Sequence, residues 1–246
     1  MTVVGIELGL GVLLLVVLAG WLGGVAQSSL GFGAAFATVP ALALAAPELL
    51  PGSMLVAIVP LSLAMLAREH ARVDLGAVTR LTLGRLPGIF SGAAIVAALP
   101  TRGLVLVIAF LLLAAVVASA TGWQLEVTGP RELTAGFVSG LTGTAAALGG
   151  PPLALLYRGR DGASMRPTLA AVWAVGTIPA LGSLAVVGEF TTQQALAGLL
   201  LSITLLVGLA AGAALVRRVP DARLRTGVLW WAGVGGVLAL ARALLG

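Results

Sequence analysis

The chain has 246 residues, 59% hydrophobic and 9% charged, with a net charge of +5 and no cysteine. Water-facing domains carry about 25% charged residues. This composition therefore excludes a soluble globular enzyme, a disordered chain and a nucleic-acid-binding domain, and it leaves a polytopic membrane protein.

Long apolar runs without alternation favour helical spans over a barrel. Bounded by charges and prolines, the runs predict about eight spans, within a range of seven to nine. The first covers residues 5–24, with an irregular continuation to 46. Residues 1–18 contain no Arg or Lys, so this segment reads as a retained span and not as a cleaved signal peptide. The next spans are 51–66, 75–99 and 103–123. After a polar break at Glu126–Glu132 come 133–157, 167–187, 191–216 and 226–244. The fold class is thus an all-α polytopic membrane protein. Its connections are too short to hold a soluble domain.

The chain resembles itself at an offset of 116 residues. Ala19-Gly20-Trp21-Leu22-Gly23-Gly24-Val25 aligns with Ala135-Gly136-Phe137-Val138-Ser139-Gly140-Leu141. A Gly/Pro-interrupted patch follows in each case. The first is Gln27-Ser28-Ser29-Leu30-Gly31-Phe32-Gly33 with Pro40 beyond; the second is Thr142-Gly143-Thr144 with Leu148-Gly149-Gly150-Pro151-Pro152. Two homologous halves are expected, 1–125 and 126–246, each with an interrupted or re-entrant segment. Matching loops carry opposite charge character, as in inverted repeats under the positive-inside rule, whereas four full spans per half would leave the halves parallel. The Arg217–Arg225 loop is expected on the cytoplasmic side, with both termini outside.

The interrupted patches are the strongest functional signal. Gly and Pro break a helix and free backbone N–H groups, which in lipid must find partners. Half-helices starting after Gly33 and after Pro151 would aim positive dipole ends at an anion. Gln27, Ser28, Ser29, Thr142 and Thr144 add side-chain donors, and Gly31, Gly33, Gly143, Gly149 and Gly150 permit close approach. The competing explanation is helix packing by small residues. Arg85 lies ten residues after Leu75, about 15 Å along a helix. A central Arg costs about 2.5–3.5 kcal/mol and calls for a partner or a function. No carboxylate is expected deep in a span, so an anionic substrate suits it; snorkelling to an interface is the alternative. Arg80 is expected at that interface. Thr177 is a further candidate for a cavity wall, Trp173 reads as packing, and Pro60 and Pro179 read as kinks. His70, the single histidine, reads as a loop residue. Catalytic constellations are missing: no HExxH, no Ser–His pair within a span and no complete dinucleotide fingerprint.

These residues resemble the sulfite exporter TauE/SafE family. Ala19–Gly24, Gly31-Phe32-Gly33-Ala34 and Val39-Pro40 look like its first-repeat signature. Ala135–Gly140 with Gly149-Gly150-Pro151-Pro152 looks like the second. Gln27-Ser28-Ser29 stands where glycines and a Thr are more usual, a departure that bears on substrate identity. The resemblance implies secondary transport of sulfite, an organosulfonate or a similar anion across the cytoplasmic membrane, with export favoured and proton or potential coupling. An anion channel and a non-transporting scaffold are the alternatives. Expected partners are the small anion, the bilayer, protons and a second copy of the chain, with no nucleic acid, metal or cofactor.

Overall fold

The structure, a computed structural model, describes residues 2–3, 6–7, 10–69, 72–121, 125–159, 162–215 and 221–245. The described helices are α1 Leu10–Leu30, α2 Ala34–Ala45, α3 Gly52–Glu69, α4 Leu75–Ala98, α5 Thr101–Ala120, α6 Gly129–Ala146, α7 Gly150–Leu156, α8 Gly162–Val186, α9 Thr192–Leu215 and α10 Asp221–Leu245. A two-residue antiparallel pairing, Thr2–Val3 with Ile6–Glu7, precedes them. Six helices (α3, α4, α5, α8, α9 and α10) are long and apolar enough to cross a membrane. The other four form two interrupted pairs, α1–α2 and α6–α7. The eight apolar segments of the sequence are therefore present, but two of them fold back on themselves.

Local chemistry sets the boundaries. Pro47 opens a short 3-10 turn, Pro47–Leu49, that separates α2 from α3. Pro100 precedes α5, and Pro130 sits in the first turn of α6, where a missing N–H costs nothing. Asp74 caps α4: its carboxylate accepts the Ala77 N–H at 2.9 Å, and its own N–H donates to the Thr168 hydroxyl at 3.0 Å.

Packing between helices is backbone against backbone. Gly84 and Gly88 of α4 face the Leu133 and Phe137 carbonyls of α6, where a Cβ would lie 2.1 Å from oxygen. Gly136 and Gly140 of α6 reciprocally face the Leu81 and Arg85 carbonyls of α4, at 2.3 Å. No side chain larger than hydrogen fits such a contact. The α1–α9 pair repeats it: Gly24 meets the Leu205 carbonyl and Gly208 meets the Trp21 carbonyl, each at 2.1 Å. Ser28 packs on Gly212 as Thr144 packs on Gly92.

The order of these contacts gives directions. α1 runs parallel to α9, and α6 runs parallel to α4. α2 then returns antiparallel along α1, placing Gly33 at Ala26 and Thr38 at Gly23. α7 returns along α6, so that Tyr157 at its end reaches Glu132 at the start of α6. End contacts group the termini of the helices. At one end of the bundle Glu69 pairs with Arg166, Asp74 meets Thr168, and Arg158 and Arg225 both reach the Ser119 carbonyl. At the other, Gln194 donates to the Glu48 carbonyl, Arg102 to the Ala243 and Leu244 carbonyls, and Arg242 to the Leu44 carbonyl. The α1–α2 pair thus enters and leaves at the second end, and α6–α7 at the first. The main core lies around Phe36, Leu42, Leu61, Ile108 and Leu112, and a smaller one joins Leu81, Leu153, Leu156, Leu169 and Trp173.

Candidate functional site

Each break is held open by specific polar contacts. At the first, α1 ends and Gly31 turns through a left-handed φ of 78°. Gln27 bridges the gap: its amide nitrogen donates to the Gly31 carbonyl at 2.8 Å, and its amide oxygen accepts the Ala34 N–H at 3.1 Å. One side chain thereby satisfies both orphan ends of the interruption. At the second break Ala147 is left-handed, with φ 57°. Its N–H donates to the Gly143 carbonyl and the Leu148 N–H to the Thr142 carbonyl, which closes the end of α6.

The two tips meet. A Cβ on Gly150 would lie 3.3 Å from the Phe32 Cβ. Between them is a cavity of about 40 Å³, lined by Gln27, Phe32, Arg85, Gly143, Ala147, Gly149, Gly150, Trp173 and Thr177, with Met54, Leu55 and Ile58 on its apolar side. That volume corresponds to about three water molecules.

Arg85 projects from α4 into this wall and is only 2% exposed. Its Nη1 donates to the Ser139 hydroxyl at 2.9 Å, and Ser139 in turn donates to the Gly149 carbonyl at 2.6 Å. Arg85 Nε is buried without a hydrogen-bond partner. Gly176 on α8 makes room for it, since a Cβ there would lie 2.6 Å from Nε. Among the described residues no carboxylate pairs with Arg85. The result is a desolvated cation, one of its donors unfilled, in the wall of a small cavity, an arrangement that favours a negative ligand.

The cavity draws together six of the residues singled out in the sequence: Gln27, Arg85, Gly143, Gly149, Gly150 and Thr177. Others sit elsewhere. The Ser28 hydroxyl donates to the Val25 carbonyl and faces α9 at Gly212. The Ser29 side chain and His70 lie outside the described residues. Thr142 donates to the Val138 carbonyl at 2.8 Å, with the Leu148 carbonyl as a second acceptor at 3.0 Å. Thr144 is fully buried against Gly92. Gly31 lies beside Arg166, and Gly33 packs on Ala26. Pro151 is in the first turn of α7, next to Pro152, and neither has an N–H to offer. The half-helix after Pro151 therefore presents fewer backbone donors than its position suggested.

Phe32 joins the site from within the first patch, and Ser139 and Ala147 join it without having been marked as site residues in the sequence. Ser139 was visible there only as one small residue of the repeated glycine motif. Trp173, read as packing, contributes to the wall as well as to the smaller core. Glu132, in the first turn of α6 and so at the end of its span, is 2% exposed and accepts from the Arg80 guanidinium and the Tyr157 hydroxyl. It belongs to Arg80, five residues and about 7.5 Å of helix rise before Arg85, so Arg85 keeps its unmatched charge.

The family model described as sulfite exporter TauE/SafE matches residues 16–239, which include both breaks and Arg85. No curated protein and no solved structure matches the chain. With nearly its whole length matched, the chain belongs to the sulfite exporter TauE/SafE family.

Proposed function

We propose that this protein is a secondary carrier that moves a compact sulfur oxoanion, of the size of sulfite, outward across the cytoplasmic membrane. The observation that carries the reading is the buried Arg85 guanidinium, paired with no carboxylate among the described residues, in the wall of a cavity where two broken helix pairs meet. Arg85 supplies charge, Thr177 supplies a hydroxyl, Gln27 holds the first break in shape beside them, and the glycines at 143, 149 and 150 let an oxygen approach the main chain. The small volume supports sulfite over organosulfonates that carry a carbon chain.

In this reading the halves are inverted repeats. Each contributes one folded-back pair and three full spans, an odd number that reverses the second half. The matched glycine contacts of α1–α9 and α6–α4 support it. So does charge: Arg68, Arg131, Arg158, Arg166, Arg223 and Arg225 gather at one end of the bundle, which the positive-inside rule makes cytoplasmic. Alternating access then arises from one half moving against the other around a fixed site.

Reconstituted protein provides the test. Wild type is expected to show saturable sulfite flux with counterflow, and Arg85→Ala to lose it while keeping its folded helical content. A transport-competent Arg85→Ala would remove the guanidinium from the site. Flux that fails to saturate at millimolar sulfite would make the protein a channel. A pH jump at fixed potential assigns the coupling: flux that follows the proton gradient means proton coupling, and indifference to it means potential-driven movement.

A further inference from the structure

A second cavity lies far from Arg85, between α5 and α10. It is a groove of about 770 Å³ with a mainly apolar wall that includes Leu113, Val116, Leu229, Trp230, Val234 and Val237. At its head stand two guanidiniums, Arg158 beyond the end of α7 and Arg225 near the start of α10. Both reach the same acceptor, the Ser119 carbonyl at the end of α5, Arg158 through Nη1 at 3.4 Å and Arg225 through Nη2 at 2.5 Å. Arg225 Nε is buried with no partner. Among the described residues no carboxylate pairs with either cation.

Two like charges converging on one neutral oxygen leave most of their charge and several N–H donors uncommitted. Any lipid-facing surface meets acyl chains. What sets this groove apart is its concavity, within the size range of ligand pockets, and a paired cationic head at the Arg-rich end of the bundle. Basic pockets between spans on that side suit acidic lipid headgroups. We infer that the α5–α10 groove is a binding site for an anionic phospholipid, with a phosphate held by Arg158 and Arg225 and an acyl chain lying along Val116, Leu229 and Val234.

The test uses delipidated full-length protein and measures lipid binding by native mass spectrometry, with thermal stabilisation in parallel. The probes are phosphatidylglycerol, phosphatidylcholine and free glycerol phosphate. Wild type is expected to prefer phosphatidylglycerol over phosphatidylcholine and to ignore glycerol phosphate, because the chain and the headgroup are both needed. A juxtamembrane Arg contributes roughly five-fold in affinity to an anionic lipid, so Arg158→Gln with Arg225→Gln should erase about 25-fold of preference. The charge-conserving pair Arg158→Lys and Arg225→Lys should retain most of it, which separates charge from folding. Gly233→Phe, which fills the groove from α10, should weaken both lipids. Equal binding of the two lipids, stabilisation by glycerol phosphate alone, or an Arg158→Gln/Arg225→Gln protein that keeps its preference would overturn the assignment. So would a groove closed by a second copy of the chain in a lipid-free dimer.

Discussion

Ser139 accepts a 2.9 Å hydrogen bond from Arg85 and donates its own hydroxyl to the Gly149 carbonyl at 2.6 Å. The hydroxyl ties the charge on α4 to the break that follows α6. Ser139→Ala removes this tether and leaves another guanidinium N–H unsatisfied, at a cost of about 1–3 kcal/mol in stability. The expected phenotype is weaker sulfite binding with flux retained at high substrate. Unchanged affinity by titration of the purified variant would disconnect Ser139 from the site.

Gly176 is the space into which Arg85 Nε fits. Gly176→Ala puts a methyl group 2.6 Å from that nitrogen and must displace the guanidinium. Loss of substrate-induced thermal stabilisation is expected, with the resting melting temperature lowered by strain worth about 1–3 kcal/mol. Gly140→Ala acts differently. Its methyl group would meet the Arg85 carbonyl at 2.3 Å, a rigid backbone atom, so α4 and α6 must separate and folding itself should suffer.

Gln27 can be tested with a near-isostere. Gln27→Leu keeps the volume but abandons the Gly31 carbonyl and the Ala34 N–H, two buried groups worth about 1–3 kcal/mol each. Gln27→Glu keeps an acceptor for Ala34 but loses the donor to Gly31 and places a carboxylate in the lining that it shares with Arg85. It should abolish anion binding by neutralising the site from within. Sulfite affinity preserved in Gln27→Glu would count against the placement of the anion between them.

Tyr157→Phe deletes one of the two donors to Glu132 and should cost about 1 kcal/mol, read as a modest drop in melting temperature. Glu132→Ala should cost more, since it strands both the phenol and Arg80; the half-exposed Arg80 recovers part of that loss through solvent. Neither change should alter selectivity among anions, which a binding panel checks.

The chain has no cysteine, so single replacements report topology cleanly. Leu125→Cys and Arg223→Cys should react only from the cytoplasmic face, and Val187→Cys and Leu245→Cys only from the opposite one. Labelling of Leu125→Cys and Leu245→Cys from the same side would dispose of the inverted arrangement.

The helical segments were legible because lipid forces long apolar runs to satisfy their own backbones. The breaks were legible because Gly31, Gly33 and Gly149-Gly150-Pro151-Pro152 interrupt those runs, and Arg85 because a cation amid Leu and Gly is conspicuous. What hydropathy could not show was direction. A segment such as 133–157 has the same composition whether it crosses the membrane or turns back at Ala147. Rotation about the helix axis was equally hidden: Ser28 and Thr144 stand on the faces that pack against Gly212 and Gly92, one step round from the cavity. Glu132 was overlooked because the polar stretch before it suggested solvent, yet the end of α7 comes back to cover it.

On the two-half reading, Arg85 has no counterpart. At the matching position of α9, where Gly24 meets a carbonyl as Gly140 does, stands Leu205. A cradle assembled from two similar arms thus carries a single positive charge. On the proposed reading, hydrogen sulfite would neutralise that charge completely, whereas the fully ionised form would leave surplus negative charge stranded in an oily interior. The pocket would then weigh its cargo by valence and admit most readily the protonation state that cancels its own.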